Sequence, residues 1–232
     1  MTGGALAIGV FVILSYLSGK IDLPGSLVGG VIAMGIFMGG GFFLLGLLLV
    51  FFVLGSLASH WRKAEKQKMG LAQESGGKRS VRHAISNGGV AGLCGLMAWL
   101  LPEYATVFVV MTAASLAAAT SDTLSSELGN VYGRRFIDLI GMKPGQRGND
   151  GVVSLEGSLF GIAGSGVIAG LFGFTHSWDA AVVVIFLAGI AGNIVDTLLG
   201  GTLQRAGHLT NDLVNFGCTV SSAVFAGMFL SV

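Results

Sequence analysis

Two carboxylates and several hydroxyls stand at the end of an apolar run near the middle of the chain. Residues 119–129 read ATSDTLSSELG and include Asp122, Ser126 and Glu127. Asp122 and Ser126 are four residues apart and share one helical face, whereas Glu127 points about 140° away from Asp122 by the helical repeat. Both acids therefore reach one ligand only if the helix ends or bends near Leu124. We expect a helix end that opens into a loop at this position.

These acids have the chemistry of a magnesium site. Mg²⁺ is typically held by one or two carboxylates, with water and phosphate oxygens completing its shell. Asp196 offers a third carboxylate of the same kind in the sequence NIVDTLLGG. We therefore predict that Asp122, Glu127 and Asp196 are the catalytic and metal-binding residues. The alternative is that the acids form structural ion pairs with Arg134 or Arg135.

A glycine-rich loop could bind a phosphate group. Residues 143–157 read KPGQRGNDGVVSLEG, without the GK[ST] of a Walker A loop. As a phosphate loop, this segment would use the charge of Arg147 and the backbone N–H donors of its glycines. The alternative is a plain turn-rich loop in which Ser154 and Glu156 cap the following helix. The predicted substrate- and nucleotide-binding residues of the whole chain are Arg82, Asn87, Gly88, Ser126, Arg147, Gly151, Ser154, Glu156, Asn193, Asn211, Asp212 and Asn215.

Two further segments are candidates for binding phosphate. Asn87 and Gly88 begin an apolar segment, where the unpaired N–H groups of a helix start bind anions, although a plain N-cap explains them equally well. The basic loop before them offers Lys78, Arg79 and Arg82. Its alternative role is contact with anionic lipid headgroups.

The elements that must position these residues are membrane helices. Of the 232 residues, 53% are hydrophobic and 11% are charged, and the mean hydropathy is +0.79. Soluble domains contain about 25% charged residues. The sequence therefore predicts an all-α polytopic membrane helix bundle. The net charge is only +1, and we expect membrane lipids but no nucleic acid as partners; whether the chain forms a homo-oligomer is left open.

Eight apolar segments are predicted to cross the membrane. They are residues 5–17, 26–38, 42–59, 85–101, 104–120, 157–174, 180–199 and 213–230. The glycines at positions 39–41 favour a turn between the second and third spans. The chain is then one membrane domain, with three N-terminal spans in residues 1–59, a basic loop in residues 60–84 and a five-span catalytic core in residues 85–232.

The basic residues indicate an orientation. All 13 Lys and Arg residues fall on one side of the eight-span arrangement, and the positive-inside rule makes that side cytoplasmic. Both termini then face outward. Most acids, including Asp122 and Asp196, lie at the cytoplasmic level, whereas Glu103 and Asp179 lie on the other side. A one-sided site is typical of an enzyme that uses a cytoplasmic cosubstrate.

Asp122 and Asp196 occupy matching positions in two helical hairpins. One hairpin runs from residue 87 to Asp122 and the other from residue 156 to Asp196. Such a parallel internal repeat would place the two aspartates at equivalent helix ends, where they could share one ligand.

Four segments together resemble one known family. They are SNGGVA, ATSDTLSSELG, GNDGVVSLEGS and VDTLLGGTLQ, the last followed by LTNDLVNF. In this order, they resemble the integral-membrane family that includes transmembrane protein nineteen and the plant phytyl-phosphate kinase. The resemblance extends from about Lys63 to the C-terminus. The chain departs from the family pattern in the glycine loop, which reads GNDG where GTNG or GTDG is expected.

The resemblance implies a CTP-dependent kinase that uses Mg²⁺. Such an enzyme would convert a prenyl monophosphate, for example phytyl or geranylgeranyl phosphate, to the diphosphate. The family is also distantly similar to dolichol kinase and phosphatidate cytidylyltransferase, so a CTP-dependent cytidylyltransferase is the first alternative. A non-enzymatic lipid-phosphate transporter and a structural membrane protein are the others. The phenylalanine-rich segment 42–59 is predicted to be a bundle helix or, alternatively, the wall of a groove for a lipid tail.

Overall fold

Helices make up nearly the whole of the structure, a computed structural model that describes residues 2–71 and 79–230. They are α1 (Thr2–Leu17), α2 (Leu23–His60), α3 (Lys63–Lys68), α4 (Val81–Leu100), α5 (Ala105–Tyr132), α6 (Leu155–Thr175), α7 (Ala180–Leu199) and α8 (Asn211–Leu230). A 3₁₀ turn, Pro102–Tyr104, precedes α5, and a π-helical segment, Gly200–Gln204, continues α7. The predicted all-α class is confirmed.

Five helical segments in the described part of the chain are long and apolar enough to cross a membrane. They are Leu23–His60, Pro102–Tyr132, Leu155–Thr175, Ala180–Gln204 and Asn211–Leu230. α1 is apolar but has only 16 residues, and α4 is not one of the five. The polytopic bundle predicted from composition is therefore confirmed, while the number of eight spans stays a prediction.

α2 consists of two helical halves that meet at Gly40–Gly41. The second of these glycines has φ 58° and ψ −147°, a conformation that glycine adopts far more readily than other residues. The Phe11 and Phe52 rings are 5.3 Å apart, and Val12 lies against Gly30. In one straight helix, positions 30 and 52 would be about 33 Å apart, so the two halves run in opposite directions. The turn predicted at these glycines is confirmed.

α5 is the central helix and contacts α2, α4, α6, α7 and α8. Its residues 112–121 are all buried and are mostly alanine, serine and threonine, which lets the surrounding helices approach closely. The helix end predicted near Leu124 is wrong, because α5 continues to Tyr132. No glycine or proline interrupts the helix before Gly129.

Three short strands between α5 and α6 form a small antiparallel sheet that we did not predict. They are β1 (Phe136–Asp138), β2 (Lys143–Pro144) and β3 (Val152–Ser154), in the order β2-β1-β3. Ile137 of β1 lies opposite Pro144 on one side and Val153 on the other. The sheet thereby fixes both ends of residues 145–151, which we call the glycine loop.

Glycines bring α2 and α4 into direct backbone contact. A Cβ built on Gly95 would lie 2.6 Å from the Gly35 carbonyl oxygen and 2.7 Å from Ile36 Cα. A Cβ on Gly39 would likewise overlap the Gly95 backbone. Because backbone atoms cannot rotate away as side chains do, the two helices reach this separation only with glycine at these positions.

Replacing Gly95 with alanine should lower the stability of the bundle. The added methyl group presses on the α2 backbone, and overpacking of this kind typically costs about 1–3 kcal/mol. The melting temperature of the purified protein in detergent measures the effect. Gly46→Ala is the matched control on α2, because a Cβ there has no neighbour within 4 Å. Equal melting temperatures for the two variants would contradict the backbone contact.

Candidate functional site

A cavity of about 440 Å³ is enclosed by α1, α2, α4, α5, α7, α8 and the glycine loop. Most of the residues that the sequence predicts as functional line it. These are Asn87, Gly88, Asp122, Ser126, Glu127, Gly151, Ser154, Asn193, Asp196, Asn211 and Asn215. Residues spread over more than 120 positions of the chain thus converge on one space, which is the candidate functional site.

Two aspartates form the acidic part of this cavity. The side chains of Asp122 on α5 and Asp196 on α7 are hydrogen-bonded to each other. The Asn215 amide, in the orientation that satisfies both of its neighbours, donates to Asp196 Oδ1 at 3.2 Å and to the Asn211 carbonyl oxygen at 3.2 Å. Two carboxyl groups in contact need a proton or a cation between them. The structure therefore brings together Asp122 and Asp196, the two residues that occupy matching positions in the predicted internal repeat.

Two asparagines add unpaired oxygen atoms to the acidic part. The Asn193 amide nitrogen donates to Ser121 Oγ at 3.2 Å, and the Asn87 amide nitrogen donates to the His83 carbonyl oxygen at 3.2 Å. In the described part of the chain, the side-chain oxygens of Asn87 and Asn193 accept no hydrogen bond. They are available to a cation or to a donor on a ligand.

Glu127 lines the same cavity but is neutralised by a buried lysine. Lys66 Nζ lies 2.5 Å from Glu127 Oε2 and also donates to the Ala58 and Ser59 carbonyl oxygens, each at 3.0 Å. The lysine is only 2% exposed. Sequence reasoning missed this pair and offered Arg134 or Arg135 as the alternative partner instead.

The three predicted metal-binding acids do not form one ligand group. Among residues 2–71 and 79–230, no three His, Cys, Asp or Glu side chains are placed to hold a metal ion together. Asp122 and Asp196 are in contact, whereas Glu127 is held by Lys66. The continuous α5 explains the separation, because positions five residues apart on a helix point in different directions.

Arg147 does not line the cavity. Its guanidinium donates to the Gly133 carbonyl oxygen at 2.7 Å and to the Asn130 carbonyl oxygen at 3.4 Å. It also lies over the Phe136 ring, 4.9 Å from the centroid. These contacts fasten the glycine loop to the C-terminal end of α5. The guanidinium that we expected to bind a phosphate is therefore bonded to backbone carbonyl oxygens of the protein.

Three other predicted residues also lie outside the lining. Arg82 is exposed, and Asp212 lies 3.8 Å from His83, a residue that does line the cavity. Glu156 accepts a hydrogen bond from the Arg134 backbone N–H at 3.3 Å. None of these three side chains therefore lines the cavity.

The glycine loop is seated on the π-helical segment. Gly151 has φ +75°, and a Cβ there would overlap Gly201, so the close contact requires glycine. Gln204 donates to Asp150 Oδ1 at 3.0 Å, and Arg205 donates to the Asp150 carbonyl oxygen. Burial raises the pKa of Asp150, while the Arg205 charge opposes this shift. Ser154 caps α6 by accepting from the Gly157 N–H at 3.1 Å, as the plain interpretation of the loop predicts.

Arg79 brings positive charge into the cavity. The sequence presents it only as one of three basic candidates, of which Lys78 lies outside the described residues and Arg82 is exposed. The Arg79 N–H donates to the Lys20 carbonyl oxygen at 2.9 Å. Its guanidinium lies over two rings of α2, 5.6 Å from the centroid of Phe51 and 5.5 Å from that of its neighbour at position 52.

Another part of the cavity lining is apolar. Its wall comes from α1, α2 and the connection between them: Phe11, Ile21, Ile32, Leu48, Phe51 and Phe52. Half of these residues belong to the segment 42–59, which favours the groove interpretation of that segment. The cavity therefore offers both polar groups and a hydrocarbon surface to one ligand.

Residues 6–223 match the family described as Integral membrane protein DUF92. The chain belongs to this family. It is 36% identical to an uncharacterized membrane protein of Methanocaldococcus jannaschii, over 79% of this chain and 75% of that protein. It is 30% identical to an uncharacterized membrane protein of Synechocystis sp., over 72% of this chain and 66% of the relative.

A plant protein is also similar. The chain is 30% identical to the chloroplastic protein VTE6 of Arabidopsis thaliana, over 73% of this chain but only 54% of VTE6. No solved structure matches the chain. Membership in the DUF92 family agrees with the apolar helices and makes the chain an integral membrane protein.

Replacing Lys66 with methionine should destabilise the protein strongly. The change leaves the Glu127 carboxylate buried without its partner, and breaking a buried ion pair from one side costs about 3–5 kcal/mol. Adding Glu127→Gln should recover most of the loss, because no unpaired charge then remains. The unfolding midpoints of the wild type, both single variants and the double variant give the coupling between the Lys66 and Glu127 side chains. Additive losses would mean that the two side chains do not interact.

Proposed function

We propose that this protein is a membrane kinase. It transfers a phosphoryl group from CTP, or another nucleoside triphosphate, to a prenyl monophosphate such as phytyl or geranylgeranyl phosphate, and the product is the diphosphate. The observation that carries the proposal is a single cavity that joins carboxylate and amide groups to an apolar wall. The motif resemblance to the plant phytyl-phosphate kinase family and the similarity to VTE6 support this class of reaction.

Mg²⁺ fits the residues of the acidic part. Asp122 and Asp196 supply two carboxylates in contact, and Asn87 and Asn193 supply amide oxygens that accept no hydrogen bond in the described chain. Magnesium takes oxygen ligands from one or two carboxylates and from substrate phosphates. The ion would neutralise charge on the transferred group. The two aspartates would hold it, and Glu127, which Lys66 neutralises, would not.

The reaction needs positioning more than a strong base. An oxygen of the acceptor phosphate attacks the γ-phosphorus of the nucleotide, the bond from that phosphorus to the β–γ bridging oxygen breaks, and CDP leaves. The acceptor is already an anionic nucleophile, so catalysis consists of alignment and charge neutralisation. The glycine loop suits the nucleotide, because two of its glycines have positive φ and such turns point backbone N–H groups at anions.

The apolar wall would hold the prenyl tail. Phe11, Phe51 and Phe52 offer flat hydrocarbon surfaces, and each buried CH₂ group contributes about 0.8 kcal/mol to binding. A nucleotide alone has no hydrocarbon tail that could bind along such a wall. On the positive-inside rule, the acidic part would lie at the cytoplasmic side of the membrane, where the nucleotide is available.

Two rival activities predict different products. A cytidylyltransferase would release pyrophosphate and form a CDP-lipid, whereas the proposed kinase releases CDP and forms a prenyl diphosphate. A transporter would move a lipid phosphate across proteoliposomes without nucleotide. Incubation with labelled CTP and geranylgeranyl phosphate, followed by separation of the products, distinguishes the kinase from the cytidylyltransferase, and the flux assay without nucleotide tests the transporter.

Replacing Asp122 or Asp196 with asparagine should lower kcat by about 10²-fold or more, a typical loss for removal of a charge-stabilising group. Asparagine keeps the size of the side chain, so folding should survive. Formation of labelled prenyl diphosphate measures the effect. The control is Asp179→Asn, because Asp179 caps α7 by accepting from the Ala181 N–H at 2.9 Å, and asparagine caps equally well. Wild-type rates for both active-site variants would refute the assignment.

Nucleotide binding should depend on magnesium. CTP should raise the melting temperature in detergent, and the increase should be larger with Mg²⁺ than with EDTA, since a ligand that binds only the folded state stabilises it. Asp196→Asn should remove the dependence on Mg²⁺. Comparison with ATP measures the preference for the base. An identical melting temperature with and without CTP would count against a nucleotide site.

A further inference from the structure

We propose that Arg79 is the residue that binds the phosphate group of the lipid acceptor, with the hydrocarbon tail lying along Phe11, Phe51 and Phe52. The inference rests on the proposed function for the identity of the acceptor. The surroundings of Arg79 would distinguish a lipid phosphate from the nucleotide.

The guanidinium of Arg79 has no polar partner among the residues that the structure describes. Within residues 2–71 and 79–230, it makes no hydrogen bond and has no carboxylate within the 4.0 Å of a salt bridge. Its contacts are the faces of Phe51 and Phe52. Burial lowers the pKa of Arg79 and the Glu127 charge raises it, but a guanidinium stays protonated at neutral pH. The cavity wall therefore carries a cation whose side-chain N–H groups donate to no described residue.

The nearby carboxylate does not compensate this charge. Glu127 is the acid that raises the pKa of Arg79, but Lys66 already neutralises it at 2.5 Å. Lys20 adds further positive charge. Its pKa is lowered, first by burial, then by repulsion from Lys63 and then by repulsion from Arg79. The potential beside Arg79 is thus positive, and an anionic ligand would relieve it.

Arg79 stands at the boundary between the two parts of the cavity. A Cβ built on Gly55 would lie 2.5 Å from Arg79 Nη2 and 3.4 Å from Thr123 Cγ2. The guanidinium is therefore close to the residue that follows Asp122, while its face lies on the phenylalanines of the apolar wall. An amphiphile with a phosphate head and a hydrocarbon tail suits such a boundary. A nucleotide would place its ribose and base against the phenyl rings instead.

Equilibrium binding to the purified full chain in detergent tests the assignment, with geranylgeranyl monophosphate, geranylgeraniol and CTP as separate probes. Arg79→Met should bind the monophosphate about 10- to 100-fold more weakly, the value of a charged hydrogen-bonding group. Its affinity for the alcohol and for CTP should not change. Arg134→Met is the matched control, because that side chain is 88% exposed.

A second variant perturbs the site without removing the arginine. Gly55→Ala places a methyl group 2.5 Å from Arg79 Nη2, so the guanidinium must move, and alanine is a better helix former than glycine. This variant should also lose affinity for the monophosphate while keeping its melting temperature. Gly46→Ala on the same helix has open space around the Cβ and should bind as the wild type does. If Arg79→Met does not fold, Gly55→Ala decides the question.

The outcomes separate this inference from the proposed function. Unchanged affinity of Arg79→Met for the monophosphate overturns the inference, even if the wild type makes prenyl diphosphate. Loss of CTP binding in place of lipid binding also overturns it and assigns Arg79 to the nucleotide. If the wild type binds the monophosphate through Arg79 but never forms a diphosphate with CTP, the inference stands and the kinase proposal fails.

Discussion

A hydrogen bond between two carboxyl groups joins α5 to α7 in the cavity, and the surrounding structure is arranged to permit it. Asp122 and Asp196 repel each other when both are ionised, so they stay in contact only with a proton or a cation between them. The neighbours provide dipoles and no opposite charge: the Asn215 amide donates to Asp196, and the Asn193 amide nitrogen is bonded to Ser121. Because no lysine or arginine in the described chain forms a salt bridge with the pair, its capacity to hold a cation is retained.

The close approach of the α5, α6 and α7 backbones brings the polar side chains around the two aspartates within hydrogen-bonding distance. A Cβ on Gly161 would lie 2.7 Å from the Asn193 amide nitrogen and 3.1 Å from Ser121 Oγ, and a Cβ on Gly192 would lie 2.7 Å from the Ala118 Cβ. The glycines of α6 and α7 therefore leave room for the polar contacts between α5 and α7. Gly161 of α6 thus affects the geometry of the site as well as the packing of the helices.

The acids and the turn glycines could be predicted because each has a local energetic cost that needs an explanation. Asp122 and Asp196 interrupt apolar runs, and carboxylates there are unfavourable without a ligand or partner. The partner of Glu127 could not be predicted in this way, because Lys66 is 61 positions away and its charge already had an explanation in the positive-inside rule. A helix end near Leu124 is expected only so that Asp122 and Glu127 can reach one ligand. Because Lys66 pairs with Glu127, the two acids have different partners, and a continuous α5 can present both.

The arginines differ in what surrounds their guanidinium groups, and sequence position gives no information about this. Arg147 stands in a glycine loop that resembles a phosphate site, yet its donors are used by carbonyl oxygens at the end of α5. Arg79 stands in an ordinary basic loop, yet its guanidinium donates no hydrogen bond within the described residues, and the nearby Glu127 is paired with Lys66. The cavity consequently has two carboxyl groups in contact in one part and, in another, a guanidinium beside phenyl rings that has no polar partner among the described residues. The charge of the guanidinium favours an anionic group such as a phosphate, and the phenyl rings beside it favour a ligand that also carries a hydrocarbon tail.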